Sequence, residues 1–226
     1  PGKKSRMNIP ISNPIFSQPM IQNQQVRTAL DGLHAQAARD LPQMLKGLGK
    51  GVFRKLKPED MRHSFMAIGR DEGEYLYRRN LREGHRNIVE YGTSFGVSTI
   101  YLAAAARQNG GKVITTELLA DKAEIARQNF ETAALADCID LRVGEAMQTL
   151  SNLQEPVDFL FLDGWAELNI PLLEMLEPQF TPGAVVVLDN ANFPSSRSTK
   201  AFLQQSPRFS TEPYARGQRS FTAIFQ

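Results

Sequence analysis

The sequence has little cysteine and no long apolar run. Its 226 residues include one cysteine, Cys138, which excludes a disulfide framework or a multi-cysteine zinc site and favours a reducing, cytoplasmic setting. The longest apolar stretches, 100–106 and 184–188, are far shorter than the ~20 residues of a membrane-spanning helix. No apolar core follows Lys3 and Lys4, as a secretory signal would require. We therefore expect no association with a membrane.

The sequence also has little net charge. Its 26 Lys and Arg residues against 24 Asp and Glu residues give a formal charge of +2 at pH 7, which disfavours nucleic acid as a partner because binders of nucleic acid present a strongly basic surface. The 42% hydrophobic content is typical of a globular chain with a sizeable core. We expect one large domain with an extension, acting on a small molecule.

The composition changes near residue 62. Three prolines in 8–22 are typical of an extended arm, and apolar residues at three- and four-residue spacing over 26–48 predict one or two helices, bent near Pro42. We interpret residues 1–62 as an N-terminal arm and helical extension, and residues 63–226 as the main domain. The apolar stripe either packs on its own domain or forms a subunit contact, so a homodimer stays open.

Beyond residue 80, short β-rich runs alternate with helix-length amphipathic segments, which predicts a parallel sheet. Two final runs, 209–214 and 220–225, are joined by a segment too short for a helix and predict an antiparallel hairpin at the sheet edge. The predicted fold is α/β: a doubly wound, mostly parallel seven-strand sheet with a C-terminal antiparallel hairpin and an N-terminal helical extension. The five earlier strand-like runs are 87–91, 112–117, 139–143, 157–163 and 184–189.

A glycine-rich turn follows the first predicted strand and precedes a predicted helix over 99–107, an arrangement typical of a ligand site. A dinucleotide site is disfavoured because Glu90 would repel a pyrophosphate. A hydrolase with Ser94 as nucleophile is disfavoured because all three histidines precede it. Glu90 instead suits a ligand with positive charge, such as the amine and sulfonium of S-adenosylmethionine. The turn reads Glu90-Tyr91-Gly92-Thr93-Ser94-Phe95-Gly96-Val97-Ser98.

A second acid, Glu117, ends the next predicted strand about 25 residues after the turn, where a carboxylate can accept both ribose hydroxyls of such a cofactor. Each acid alone also has a structural interpretation: Glu117 as an exposed residue near a helix start, and Glu90 as a buried ion-pair member. The ordered combination of the glycine turn and both acids favours S-adenosylmethionine.

These motifs resemble the class I S-adenosylmethionine-dependent O-methyltransferases of the catechol and caffeoyl-coenzyme A type, over roughly residues 63–226. The resemblance implies a Rossmann-like methyltransferase fold, with 66–69 over the methionine end of the cofactor and with 144–146 and Trp165 at its adenine. The cofactor-binding residues that it implies are Met66, Ile68, Glu90, Gly92, Thr93, Ser94, Gly96, Ser98, Glu117, Glu145, Ala146, Asp163 and Trp165.

Two further strand ends carry the resemblance, Phe161-Leu162-Asp163-Gly164-Trp165 and Val187-Leu188-Asp189-Asn190. In the family, the matching residues bind a magnesium ion that holds two adjacent oxygens of the substrate. The resemblance therefore implies that Asp163, Asp189 and Asn190 are catalytic residues and ligands of Mg²⁺ or another divalent cation, and oxygen ligands of this kind suit such an ion. The alternative is that both aspartates only cap the following loops.

The sequence departs from the resemblance at the general base. Catechol-type members carry a lysine after the tryptophan, and Ala166 stands there. Arg70, Asp71 and Glu212 are candidates for proton transfer by position, and Glu212 resembles a catalytic glutamate of the family. The resemblance implies methyl transfer to a hydroxyl of a small, catechol-like acceptor. Two alternatives stay open: a cofactor-binding protein with another acceptor or no turnover, and, disfavoured by Glu90, a nicotinamide oxidoreductase.

Overall fold

The computed structural model describes residues 20–40, 58–62, 64–212 and 219–226. Most of the predicted arm, the second half of the apolar stripe (41–48) and residues 213–218 of the terminal hairpin lie outside these ranges. Within the four ranges we find no helix with the length and apolar content that crossing a bilayer takes.

Among the described residues, seven strands form one mixed sheet. They are β1 (Asn87–Tyr91), β2 (Lys112–Glu117), β3 (Ile139–Val143), β4 (Val157–Leu162), β5 (Phe180–Leu188), β6 (Phe209–Thr211) and β7 (Phe221–Phe225). Their order in the sheet is β3-β2-β1-β4-β5-β7-β6. The first five strands pair in parallel, and β7 is antiparallel to both β5 and β6. The predicted parallel sheet and antiparallel hairpin are confirmed.

Helices cover both faces of this sheet. In the described ranges they are α1 (Gln24–Arg39), α2 (Arg70–Glu83), α3 (Val97–Gln108), α4 (Ala120–Thr132), α5 (Ala146–Thr149), α6 (Asn169–Leu176) and α7 (Arg197–Gln205). Successive residues of β4 alternate between two apolar cores: Phe159 and Phe161 pack with α1 to α4, and Leu160 and Leu162 pack with α5 to α7. The fold is therefore doubly wound, as predicted.

The N-terminal helix shares the core of the main domain. Asn23 caps α1, because its Oδ1 accepts the backbone N–H groups of Gln25 and Val26. Val26, Leu30 and Leu33 are buried in the same core as α3. The apolar stripe thus packs within the chain over the described part of the helix, and a subunit contact stays a prediction.

The parallel arrangement brings five loops to one edge of the sheet. The strands β1 to β5 all end there, so the turns that follow them lie side by side. Their order is visible in backbone hydrogen bonds: Asp163 N–H donates to Tyr91 O at 2.9 Å, Asp189 N–H to Leu162 O at 2.9 Å, and Gly144 N–H to Glu117 O at 2.9 Å.

Candidate active site

The glycine turn lies directly against the loop that follows β4. Gly92 has a φ of +105°, and a Cβ there would lie 2.6 Å from the carbonyl oxygen of Asp163. The hydroxyl of Tyr91 holds the same loop, because it accepts the backbone N–H of Trp165 at 3.1 Å. Only glycine combines this backbone conformation with this close approach.

Glu117 closes the other side of the turn. Its Oε2 accepts the backbone N–H of Ser94 at 2.8 Å, and its Oε1 accepts that of Leu119 at 2.9 Å. Burial raises the pKa of Glu117, while these N–H groups and the nearby Lys122 oppose the rise. Since a carboxylate oxygen offers two lone pairs, each oxygen keeps one for a further donor. The pair of oxygens is thus suited to the two adjacent hydroxyls of a ribose.

Glu90 lies beneath the turn rather than at its surface. It is fully buried, and its Oε2 accepts the hydroxyls of Thr99 at 2.5 Å and Thr115 at 2.6 Å. Burial raises the pKa of Glu90, and the surrounding hydroxyls, including that of Ser98, oppose the rise. Its Oε1 has no hydrogen-bond partner among the described residues. In this arrangement Glu90 joins β1, β2 and α3 below the site.

The segment before α2 lies beside the turn, and its predicted place over the cofactor stays a prediction. The rings of Phe65 and Phe95 are 4.7 Å apart. Lys122 adds a second link, because its buried ammonium donates to the carbonyl oxygen of Ser64 at 3.3 Å and to the hydroxyl of Ser94 at 3.4 Å. Met66 extends from this segment with 48% of its surface exposed. The segment thus has an exposed apolar side chain next to the residue, Phe65, that contacts the turn.

The loops after β2 and β3 expose apolar surface at the same edge. Leu118 and Val143 are 42% and 38% exposed, so each presents apolar surface at this edge. Glu145 is exposed and Ala146 is buried. This surface is suited to one face of a flat, apolar ring such as adenine.

The predicted cofactor-binding residues divide by accessibility. Those at least partly exposed at this edge are Met66, Gly92, Ser94, Glu145, Asp163 and Trp165. Those that are buried are Ile68, Glu90, Thr93, Gly96, Ser98, Glu117 and Ala146. The buried group supports the loops from below, and Glu117 alone in it presents a carboxylate at the turn.

Three carboxylates meet after β4 and β5. Asp163 and Asp189 follow these strands, and Glu72 reaches them from the first turn of α2. Burial and the charge of Asp189 raise the pKa of Asp163 well above its usual range. The same two causes raise the pKa of Glu72 to about 7. The sequence had indicated Asp163 and Asp189 but not Glu72, which lies next to the Asp71 that was considered by position.

Arg219 neutralises this cluster. Its Nε donates to Asp189 Oδ1 at 2.9 Å and its Nη2 donates to Asp189 Oδ2 at 2.9 Å, while its Nε lies 3.6 Å from Glu72 Oε2. Asn190 has a φ of +53° and donates its side-chain N–H to Asp189 Oδ2 at 2.6 Å. Arg219 was missed because its only sequence signal is a position just before a predicted strand.

Glu212 is engaged elsewhere. Its Oε2 accepts Nη1 of Arg79 at 2.6 Å, and Arg79 is almost fully buried and also paired with Glu83. Arg70 pairs instead with the exposed Asp31 at 2.7 Å. A proton-transfer role for Glu212 stays a prediction, whereas the structure shows Glu212 linking α2 to the end of β6.

The sequence of this chain is similar to those of known proteins. A family model described as a methyltransferase domain matches residues 89–191. The catechol O-methyltransferase of Mycobacterium tuberculosis is 35% identical over 126 residues, which are 55% of this chain and 57% of the relative. That of Niastella koreensis is 29% identical over 163 residues, 70% of each chain. The chain thus spans a little over half of the first relative and about two thirds of the second.

A solved structure extends the match across nearly the whole fold. The O-methyltransferase from Bacillus cereus in complex with S-adenosylhomocysteine superposes with a TM-score of 0.65 at 26% identity, covering 91% of this chain and 92% of that one. The range matched by the family model contains Glu117, Asp163 and Asp189, but neither Glu72 nor Arg219. In fold and in sequence, the chain is thus similar to class I O-methyltransferases of the catechol and caffeoyl-coenzyme A type.

Proposed function

We propose that this protein transfers the methyl group of S-adenosylmethionine to a hydroxyl of a small acceptor. The observation that carries the proposal is Glu117, whose two oxygens each accept a backbone N–H at the glycine turn and each keep a lone pair for a ribose diol. The neighbour from Bacillus cereus that holds S-adenosylhomocysteine supports the same cofactor. Methyl-group chemistry would then occur next to the turn, beside Asp163.

The transfer is a direct displacement. A lone pair of the acceptor oxygen forms the new O–C bond while the C–S bond breaks, its electron pair stays on sulfur, and the hydroxyl proton passes to water. The protein's contribution is to align the two reactants and to stabilise charge that develops on the acceptor oxygen. The close approach of Gly92 to Asp163 supports an acceptor site within reach of the cofactor's methyl group.

We infer a catechol-like acceptor from the two catechol O-methyltransferase relatives and from the polar groups at the site. An aromatic diol has two adjacent hydroxyls, and the site offers both a carboxylate, Asp163, and a guanidinium, Arg219, to receive them. Trp165, which is partly exposed beside Asp163, provides an aromatic face near the same place.

A divalent cation at Asp163, Asp189 and Asn190 does not fit the described arrangement. Both oxygens of Asp189 accept hydrogen bonds from Arg219, and Asn190 turns its N–H group towards Asp189. Glu72, Asp163 and Asp189 are neighbours, but in the part of the chain that the structure describes neither these nor any other three His, Cys, Asp or Glu side chains are arranged as ligands of one metal ion. We therefore assign no step of the reaction to a metal.

Calorimetric titration with S-adenosylmethionine tests the cofactor. We expect the wild-type protein to bind it, and Glu117→Gln to bind about 10- to 100-fold more weakly because hydrogen bonds to a charged group are lost. Glu124→Gln, on the exposed face of α4, is the matched control and should bind as the wild type does. Failure of the wild-type protein to bind millimolar cofactor would contradict the proposal.

Product analysis tests the reaction itself. Incubation with S-adenosylmethionine and a panel of catechols, simple phenols and aliphatic alcohols should yield S-adenosylhomocysteine and a methyl ether, detected by mass spectrometry. The loop 163–173 contains no lysine, which motivates the second candidate, a cofactor-binding protein without turnover. Tight cofactor binding with no product across the panel would favour that candidate.

A further inference from the structure

We propose that Arg219 occupies the place of a divalent cation in this site and binds the acceptor oxygen directly, so that methyl transfer proceeds without a metal. This inference rests on the proposed function and deepens it, because it names the group that faces the acceptor. It concerns residues on α2, directly after β5 and just before β7, which the sequence motifs alone do not connect.

The first observation is the geometry of the ion pair. Two N–H groups of Arg219 meet the two oxygens of Asp189, each at 2.9 Å, which is the paired arrangement that a planar guanidinium forms with a carboxylate. The side chain of Asp189 is fully buried. Oδ2 of Asp189 accepts two hydrogen bonds, from Arg219 and from Asn190, and a cation at Oδ1 would lie beside the positive charge of the guanidinium, so Arg219 and a metal ion compete for one place.

The second observation is charge balance. Glu72, Asp163 and Asp189 meet in a partly buried space, and like charges so close together need a cation or a proton between them. An arginine side chain stays protonated over the whole pH range in which proteins are folded. Arg219 therefore carries a permanent positive charge at the centre of the cluster.

The third observation is that the backbone holds Arg219 in position. Its carbonyl oxygen accepts the N–H of Ala191 at 2.8 Å, in the loop after β5. The next residue, Ser220, donates its hydroxyl to Glu72 on α2. Arg219 is thus fixed between two elements of the site rather than placed on a free surface.

The guanidinium still has N–H groups that can bind a substrate hydroxyl. Its Nε and Nη2 bind Asp189, whereas Nη1 has no hydrogen-bond partner among the described residues, and 47% of the side chain is exposed. An acceptor oxygen bound at Nη1 would be stabilised as it loses its proton to water and attacks the methyl carbon. Arginine cannot accept that proton. A single positive charge favours acidic hydroxyls, so phenols should be methylated faster than aliphatic alcohols.

Metal titration provides the readout that does not depend on activity. We expect no binding of Mn²⁺ or Mg²⁺ to the wild-type protein by calorimetry, with paramagnetic resonance as a second probe for Mn²⁺. In Arg219→Ala the carboxylates lose their partner, so this variant should gain Mn²⁺ binding. The control Arg127→Ala removes an exposed arginine of α4 and should bind no more metal than the wild type. Binding of Mn²⁺ by the wild-type protein would overturn the inference.

Turnover provides the second arm. Methyl transfer by the wild-type protein should persist in excess EDTA, and Arg219→Ala should lower kcat by about 100-fold while S-adenosylmethionine affinity stays unchanged. Arg219→Lys keeps the charge but not the paired geometry, so its kcat should lie between those of the wild type and Arg219→Ala. Circular dichroism checks that each variant is folded. Turnover that EDTA abolishes and Mg²⁺ restores would overturn the inference while supporting the proposed function. If no acceptor is methylated, the Mn²⁺ titration still tests whether Arg219 occupies the place of a cation.

Discussion

The carboxylates of three acidic side chains at the carboxyl edge of the sheet are stabilised by three different kinds of partner. Glu117 accepts two backbone N–H groups, Glu90 accepts side-chain hydroxyls, and Asp189 is paired with Arg219. A group that is held by neutral donors keeps its negative charge available for a ligand, whereas an ion pair presents a cation instead. An acidic side chain can therefore present its negative charge to a ligand at one position and hold a guanidinium at another.

One buried histidine should make the stability of the protein depend on pH. Burial lowers the pKa of His85 to about 4, with Asp158 opposing and Arg79 adding to the effect. The unfolded chain holds this ring near its ordinary pKa of about 6.5, so the unfolded state binds a proton first as the pH falls. Stability is complete above about pH 6.5 and declines towards pH 4, by up to about 3 kcal/mol from this group.

Urea unfolding at pH 7.5 and pH 5 measures the effect. In His85→Gln, which has no ionisable ring, the difference in unfolding free energy between the two pH values should shrink. An unchanged difference would show that His85 does not cause the acid sensitivity.

Residues that follow strands could be predicted from the sequence, and their partners could not. Asp163, Asp189 and Glu117 each stand where an apolar run stops, which is a local signal. Glu72 and Arg219 meet them only because α2 and β7 are brought beside β5 by the folded sheet. A local sequence pattern does not show which distant residues meet in the fold, so the sequence predicted the acidic residues at the strand ends but not Arg219.

At the level of elements, the bounds of β1, β2 and β3 agree with the predicted ones. β1 and β2 are buried on both faces and appear as short apolar or β-branched runs, whereas β3 is a half-exposed edge strand that shows as alternating apolar and polar residues. β5 begins four residues earlier than predicted, at Phe180, because an extended segment with Pro182 and Gly183 continues the strand at its exposed start. Proline and glycine have low strand propensity, but Phe180 pairs with Val157 of β4, and this pairing keeps the segment in the sheet.

The glycine turn gives a prediction with a matched control. Gly92 and Gly183 have φ values of +105° and +86°, so an alanine is strained at either position by about 1–2 kcal/mol. At Gly92 a Cβ would also meet the backbone of Asp163, whereas at Gly183 nothing lies within 4 Å. Gly92→Ala should therefore lose more stability than Gly183→Ala and should also bind S-adenosylmethionine more weakly.

Urea unfolding and calorimetric titration of both variants measure the two effects. Equal losses of stability, with cofactor affinity unchanged in Gly92→Ala, would show that the close approach to Asp163 has no consequence. The comparison separates backbone strain, which the variants share, from contact with the loop after β4, which belongs to one of them.

At the scale of the whole molecule, the alternation of strands and helices predicted the fold class, but not which strand lies beside which. β7 follows β6 in the chain and nevertheless lies between β5 and β6 in the sheet. Ala223 pairs with Val186 on one side and Thr211 on the other, and it is fully buried. β7 is therefore an interior strand.

Removal of this strand should abolish cooperative unfolding. A chain that ends at residue 218 leaves β6 without its strand partner and uncovers β5, so we expect a broad, low-amplitude thermal transition by circular dichroism. A chain that ends at Phe225 lacks only the exposed Gln226 and should melt as the full chain does. A sharp transition in the shorter chain would contradict an essential role for β7.

The same strand order sets the sequence of events during synthesis. All five parallel strands are synthesised before β7, so Glu117, Asp163 and Asp189 all precede Arg219 in the order of translation. Asp189 gains its ion-pair partner only when β7 inserts between β5 and β6, because Arg219 directly precedes that strand. The ion pair at Asp189 is thus the last contact at this edge of the sheet for which synthesis supplies both partners.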